Sequence, residues 1–126
     1  MLTFISGFVV GVIVLQTAVL APTIFKSLEA GPAGVLLRAM FPKFFRLLAV
    51  LGVGSVIATA VSSEPSVWRY AVGGVTVVLP IICATLVPAT NQATDRGDSA
   101  TFKKLHTLSV VMTLAVLGAN IAMPFV

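Results

Sequence analysis

Hydrophobic positions run along this chain in four long blocks, separated by shorter segments where polar, charged, glycine and proline residues gather. Each block holds about 20 predominantly apolar residues, the length a helix needs to cross a hydrocarbon layer roughly 30 Å thick. The blocks extend from about 2 to 21, 44 to 62, 67 to 87 and 102 to 125. They predict one all-α domain over residues 1–126, an integral membrane four-helix bundle. The first block has no basic residues ahead of it and meets Pro22 directly after Ala21, where a signal-peptide cleavage site would have to lie, so it reads as a retained helix. The segment "SSEPSVW" reads as a tight turn in which Pro65 interrupts the helix. The connector "PTIFKSLEAGPAGVLLRAMFPKFF" is amphipathic and is expected to lie along the membrane interface, broken in two at Gly31-Pro32. In the polar segment "PATNQATDRGDSATFKK", Asp98, Ser99 or Thr101 is placed to cap the fourth helix.

The fourth block is the least uniform. At about 100° per residue, His106, Ser109, Thr113 and Asn120 project within an arc of roughly 60°, a polar stripe expected to face protein because polar groups in hydrocarbon need partners. His106 and Asn120 are about 21 Å apart along a helix and cannot share one compact site. Depth therefore divides the stripe. Gln16 on the first helix and Cys83 on the third fall near the level of His106, with Asn91 just beyond. Those four residues are the candidate ligand-binding set. Ser109, Thr113 and Asn120 are candidates for interhelical hydrogen bonding. On the third helix Thr76, Pro80 and Cys83 share a face, and Pro80 is expected to kink it.

Composition and charge sharpen this picture. The chain is 58% hydrophobic and only 10% charged, against roughly 25% charged in soluble domains. Its net charge of +4 is spread over short loops, which argues against a nucleic-acid surface and for a topology signal. Lys26, Arg38, Lys43, Arg46, Arg96, Lys103 and Lys104 all fall on the side of the first and third connectors, and only Arg69 falls on the other. The positive-inside rule assigns the basic side to the cytoplasm, which places both termini on the non-cytoplasmic side. The string Arg96-Gly97-Asp98-Ser99 loses any adhesion meaning on a cytoplasmic face.

The chemistry offered is sparse. Cys83 is the single cysteine, so no intramolecular disulfide forms. One imidazole and one thiol fall short of the three or four ligands of a zinc site. A haem needs only one axial histidine, and a thiol with an imidazole suits a soft metal. Neither cofactor has a further signature. Glu29 and Glu64 lie on opposite sides of the membrane, Asp95 and Asp98 outside the helices, and no catalytic constellation emerges. A non-enzymatic role is therefore the favoured reading. Gly7 and Gly11 make a GxxxG pair nearly opposite Gln16, a face for close helix packing within the chain or with a second copy as a homodimer. Gly52, Ser55 and Thr59 form a comparable small face on the second helix, able to receive the first.

Taken in order, "APTIFKSL", "MFPKFF", "LVPATN" and "FKKLHTLSVV" resemble the transmembrane-protein-205-like domain family, a domain of unknown function. The resemblance spans nearly the whole chain and implies four transmembrane helices. The family's molecular activity is not established, and a vertebrate member is associated with resistance to platinum drugs. By position, Pro22, Phe25, Phe41, Pro42, Pro88, Asn91 and His106 are the family-like residues. Family members often have a further asparagine shortly after the histidine, and Thr113 stands nearest to that position here. At the level of architecture the chain is also similar to copper-resistance D and protoporphyrinogen-oxidase J proteins, whose histidines serve copper or haem. Three readings stay open from sequence: a pocket for a small solute or soft metal complex, a haem- or porphyrin-linked redox protein with His106 as axial ligand, and a structural or assembly subunit.

Overall fold

With no water to satisfy backbone groups in a bilayer, a chain this apolar must close its hydrogen bonds within each segment, and helices do so. The computed structural model, which describes Met1–Val126, has four such helices, each long and apolar enough to cross a membrane. They are α1 (Leu2–Ser27), α2 (Ala30–Ala60), α3 (Val67–Asp95) and α4 (Ser99–Ala122), the last continued by a 3₁₀ turn at Met123–Phe125. The protein is an all-α, four-helix membrane bundle. Apolar side chains such as Phe4, Val50, Ile57, Val78 and Val111 stay exposed around it, as a lipid-facing surface requires.

Pro22, Pro42, Pro80 and Pro88 all lie within helices that continue past them. Pro22 has no N–H to give the carbonyl of Ala18, and its ring would crowd that carbonyl. The chain widens instead into a π-helical segment over Leu15–Leu20, with the Ala21 N–H bonded to Gln16 O, and α1 continues to Ser27. The first connector therefore differs from the expected interfacial pair of pieces. Its break lies at Leu28 and Glu29, both in extended conformation, not at Gly31-Pro32. Pro32 occupies the first turn of α2, where a missing N–H leaves no intrahelical bond unmade. Ser66 opens α3 by accepting from the Trp68 N–H at 3.2 Å. Asp98 caps α4 by accepting from the Thr101 N–H at 3.1 Å. The side chain and N–H of Thr101, with help from Arg96, hold the Asp98 carboxyl below the usual carboxylate range. The turn before it needs Gly97 at φ 71°.

Neighbours around the bundle are α1–α2, α2–α3, α3–α4 and α4–α1. The tightest approach is between α2 and α3. A Cβ on Gly52 would lie 2.7 Å from the Thr76 carbonyl carbon and the Val77 nitrogen, and one on Gly73 would lie 2.8 Å from a Val56 methyl. The small face at Gly52 thus receives α3 rather than α1. Pairing of residue 52 with 76–77 and of 73 with 56 makes the two helices antiparallel. Below this crossing Val9, Ile13, Phe44, Phe45, Leu48, Cys83 and Val116 form one buried apolar cluster drawn from all four helices. Gly7 and Gly11, by contrast, have nothing within 4 Å of an added Cβ and take no part in packing inside the chain.

Gly52→Ala should destabilise the bundle by about 1–3 kcal/mol, the usual cost of overpacking a tight site. Gly7→Ala, whose methyl meets nothing, should not destabilise it. Thermal unfolding midpoints in mild detergent check this contrast, and equal midpoints for the two variants would show that Gly52 does not set the crossing.

Candidate functional site

The two ends of the bundle differ in character. One carries the termini and the turn 61–66, and is called here the terminal end. The other carries the connectors at Leu28–Glu29 and Arg96–Asp98 with most of the basic residues, and is called the basic end.

The candidate binding set lies towards the basic end. Cys83 is 1% exposed, and its thiol donates to the Ser109 carbonyl at 3.8 Å. That same carbonyl accepts the Thr113 hydroxyl at 2.8 Å. Gln16, within the π-helical segment, is 4% exposed, and its Nε2 has no hydrogen-bond partner. His106 lies about one turn closer to the basic end than Ser109 and is exposed, its ring stacked parallel on Phe102 at 5.6 Å. Asn91 is half-buried, and its backbone carbonyl accepts from Arg38 at 3.5 Å. No hydrogen bond joins His106, Cys83, Gln16 or the Asn91 side chain to one another. No three His, Cys, Asp or Glu side chains gather where they could hold a metal ion.

The polar stripe of α4 divides by depth. Thr113 and Asn120 are buried, Ser109 is half-buried and His106 is exposed. Asn120 gives one amide hydrogen to Thr76 Oγ1 at 2.8 Å and one to the Val116 carbonyl at 2.9 Å. The Thr76 hydroxyl in turn donates to the Val72 carbonyl at 2.8 Å. Because Thr76 Oγ1 spends its hydrogen on Val72, it accepts from Asn120. That direction fixes the amide with Nδ2 towards Thr76, leaving Oδ1 without a partner.

Two more orphans accompany Asn120. The hydroxyls of Ser6 on α1 and Ser55 on α2 are each 1% exposed and unpartnered. Their level follows from the depression at the terminal end, of about 330 Å³, whose walls include Thr3, Ala58, Ser62, Ser63, Arg69 and Met123. Three residues inward from Thr3, Ala58 and Met123, one helical turn on each of three helices, stand Ser6, Ser55 and Asn120. A polar layer therefore underlies an open polar depression. The buried Val9 and Val116, one turn further inward, and Leu48, two turns inward from Ser55, separate it from the Gln16–Cys83 level.

Helical phase puts Asn120 and Thr76 on inward faces, whereas Ser6 carries no mark of its own and Ser55 reads only as part of a small packing face. The signal was present. Ser6, Val9, Ile13 and Gln16 are spaced 3, 4, 3, and Leu48, Gly52, Ser55 and Thr59 are spaced 4, 3, 4, each a single buried helical face.

Arg38 and Asp95 form the other unanticipated contact. The last residue of α3 receives both terminal nitrogens of Arg38, at 2.5 and 3.2 Å, in a forked pair. Both side chains are well exposed, so the pair contributes little beyond tying α2 to α3 at the basic end.

The model described as "Domain of unknown function (DUF4149)" matches residues 4–125. The chain belongs to that family. The match covers the same span as the resemblance carried by "MFPKFF", "LVPATN" and "FKKLHTLSVV". No curated protein and no solved structure matches the chain.

A double-mutant cycle of Asn120→Leu and Thr76→Val should give a coupling of about 0.6 to 1.7 kcal/mol, the range for hydrogen bonds between membrane helices. Zero coupling would show that the 2.8 Å contact contributes nothing to stability. Cys83 should resist a charged methanethiosulfonate reagent in the folded protein and react once it is unfolded in dodecyl sulfate. Rapid labelling of the folded protein would require a water-filled route that the buried thiol does not have.

Proposed function

We propose that this multi-pass membrane protein is not an enzyme and that it binds a small, uncharged polar solute at the terminal end of its bundle. One observation carries the reading: three buried, unpartnered polar atoms from three different helices lie one turn beneath an open polar depression. An unsatisfied buried polar group costs about 1–3 kcal/mol, so such a set favours an occupant that completes its hydrogen bonds. Two hydroxyls and one amide carbonyl carry no charge, and they match a solute with hydroxyl or amide groups better than an ion. The volume is at the low end of the roughly 300–1,000 Å³ of small-molecule sites. Water alone would satisfy the same atoms, and it is the baseline against which a solute competes.

Seven of the eight basic residues lie at or towards the basic end, Arg69 being the exception. The positive-inside rule assigns that end to the cytoplasm, so the solute site faces away from it. The buried apolar side chains of Val9, Leu48 and Val116 beneath it favour a binding site over an open pore. The alternative site around His106 and Cys83, for a soft metal complex or an axially ligated haem, has less support: the imidazole is exposed on Phe102, and the thiol is buried and engaged with Ser109. A purely structural role would leave the orphans of Ser6 and Ser55 to water. The open face at Gly7 and Gly11 suits close packing of a second copy.

Introduced as Ser55→Cys in a Cys83→Ala background, a thiol at the site should react with methyl methanethiosulfonate in folded protein, and glycerol, urea or acetamide should slow it. A thiol that reacts only after unfolding, or that none of the three solutes protects, would overturn the reading. If Gly7 and Gly11 join two copies, Gly7→Leu with Gly11→Leu should convert a dimer to a monomer in detergent sedimentation. Unchanged sedimentation would rule out that contact.

A further inference from the structure

A second cavity, of about 250 Å³, lies in the opposite half of the bundle, in the groove between α2 and α3. Its walls are Phe45, Ala49, Pro80, Ile81 and Ala84, and Arg46 stands among them. The gap follows from the residues: two alanines and a proline leave less side chain between the helices than their neighbours do. Ile81 and Arg46 are exposed, so the groove opens sideways onto the apolar surface, where acyl chains lie.

Arg46 is an unusual wall for such a groove. It lies level with Ala84 and Thr85, and the adjacent Cys83 bonds to Ser109 on α4. Ser109 is five residues beyond Lys104, about 7.5 Å deeper along the helix than the lysines that enter α4. A guanidinium at this depth is costly unless it is paired or reaches the interface. The protein offers it nothing. The ion pairs are Arg38–Asp95 and Arg96–Asp98, and Arg46 has neither a carboxylate within 4 Å nor a hydrogen bond to the chain. Lys43, one turn nearer the basic end on the same face, is likewise unpaired. Two unpaired cations in line with an apolar groove are complementary to a molecule with an apolar tail and an anionic head.

We infer that the groove at Pro80 is a binding site for one anionic phospholipid, an acyl chain lying along Phe45, Ala49 and Ala84 and the phosphate held by Arg46 with Lys43. The head then neutralises Arg46 where the bundle itself supplies no acid. Zwitterionic lipid fits the groove equally but carries its own cation beside the phosphate, so it pairs less well with two basic side chains.

The test is titration of full-length protein in mild detergent with dioleoylphosphatidylglycerol or dioleoylphosphatidylcholine, followed by native mass spectrometry and thermal unfolding. The wild type should retain one phosphatidylglycerol through detergent removal and unfold at a higher temperature with it. Arg46→Gln should weaken that binding about tenfold, the equivalent of one charge-assisted hydrogen bond. Ala49→Phe should abolish it with both cations in place, whereas Lys103→Gln and Lys104→Gln should not affect it. Should Ala49→Phe fail to fold, Ile81→Trp fills the same groove from the lipid side. Equal retention of both lipids, or phosphatidylglycerol binding unaltered in Arg46→Gln and in the groove-filling variant, would overturn the inference.

Discussion

The close backbone approach of α2 and α3 at Gly52 and Gly73 is the constraint on which the rest of the bundle depends. Lipid tails are as apolar as leucine, so two membrane helices gain little by hiding hydrophobic side chains from one another, and association depends on close packing. Glycine at 52 allows the backbone at Thr76 and Val77 to come nearer than any side chain would permit. Once that register is set, Arg38 meets Asp95 at one end, and Thr76 is held where Asn120 reaches it from α4. The groove at Pro80 and the polar layer at Ser55 lie on either side of the same crossing.

Polar residues occupy this bundle in two ways. Thr17, Thr59, Thr76 and Thr113 return their hydroxyl hydrogens to carbonyls four residues back on their own helices, which satisfies the donor without committing the helix to a partner. Ser6, Ser55, Gln16 and Asn120 are buried and leave an atom free. The first group is an economical way of carrying threonine in lipid. The second is where the bundle holds unspent hydrogen-bonding capacity, and three of its four members converge at the terminal end.

Cation placement follows a matching logic. Arg38 and Arg96 have carboxylates at the ends of helices, where water also reaches them. Arg46, in the wall of an apolar groove, and Lys43, one turn nearer the basic end, have none, and the proposed lipid phosphate would supply their counter-charge.

By itself the sequence determined the number of helices and the inward face of α3 at Thr76, Pro80 and Cys83, and it narrowed the cap of α4 to Asp98, Ser99 or Thr101, because these depend on length, on 3.6-residue periodicity and on local chemistry. It also put Gln16, Cys83 and His106 near a common depth, a reading that comes from counting residues along antiparallel helices. It did not show that α2 begins at Ala30 or that α3 runs on to Asp95, both of which it put outside the helices. Only the tertiary structure decided which small face receives which helix, that Pro22 is absorbed by a π-helical segment, and that His106 turns to the surface while Ser6 and Ser55 turn inward. Those outcomes depend on helix rotation and crossing, and rotation is set by the contact of Gly52 with a backbone 24 residues further along the chain. Periodicity shows that a helix has a buried face. It does not show what that face will meet.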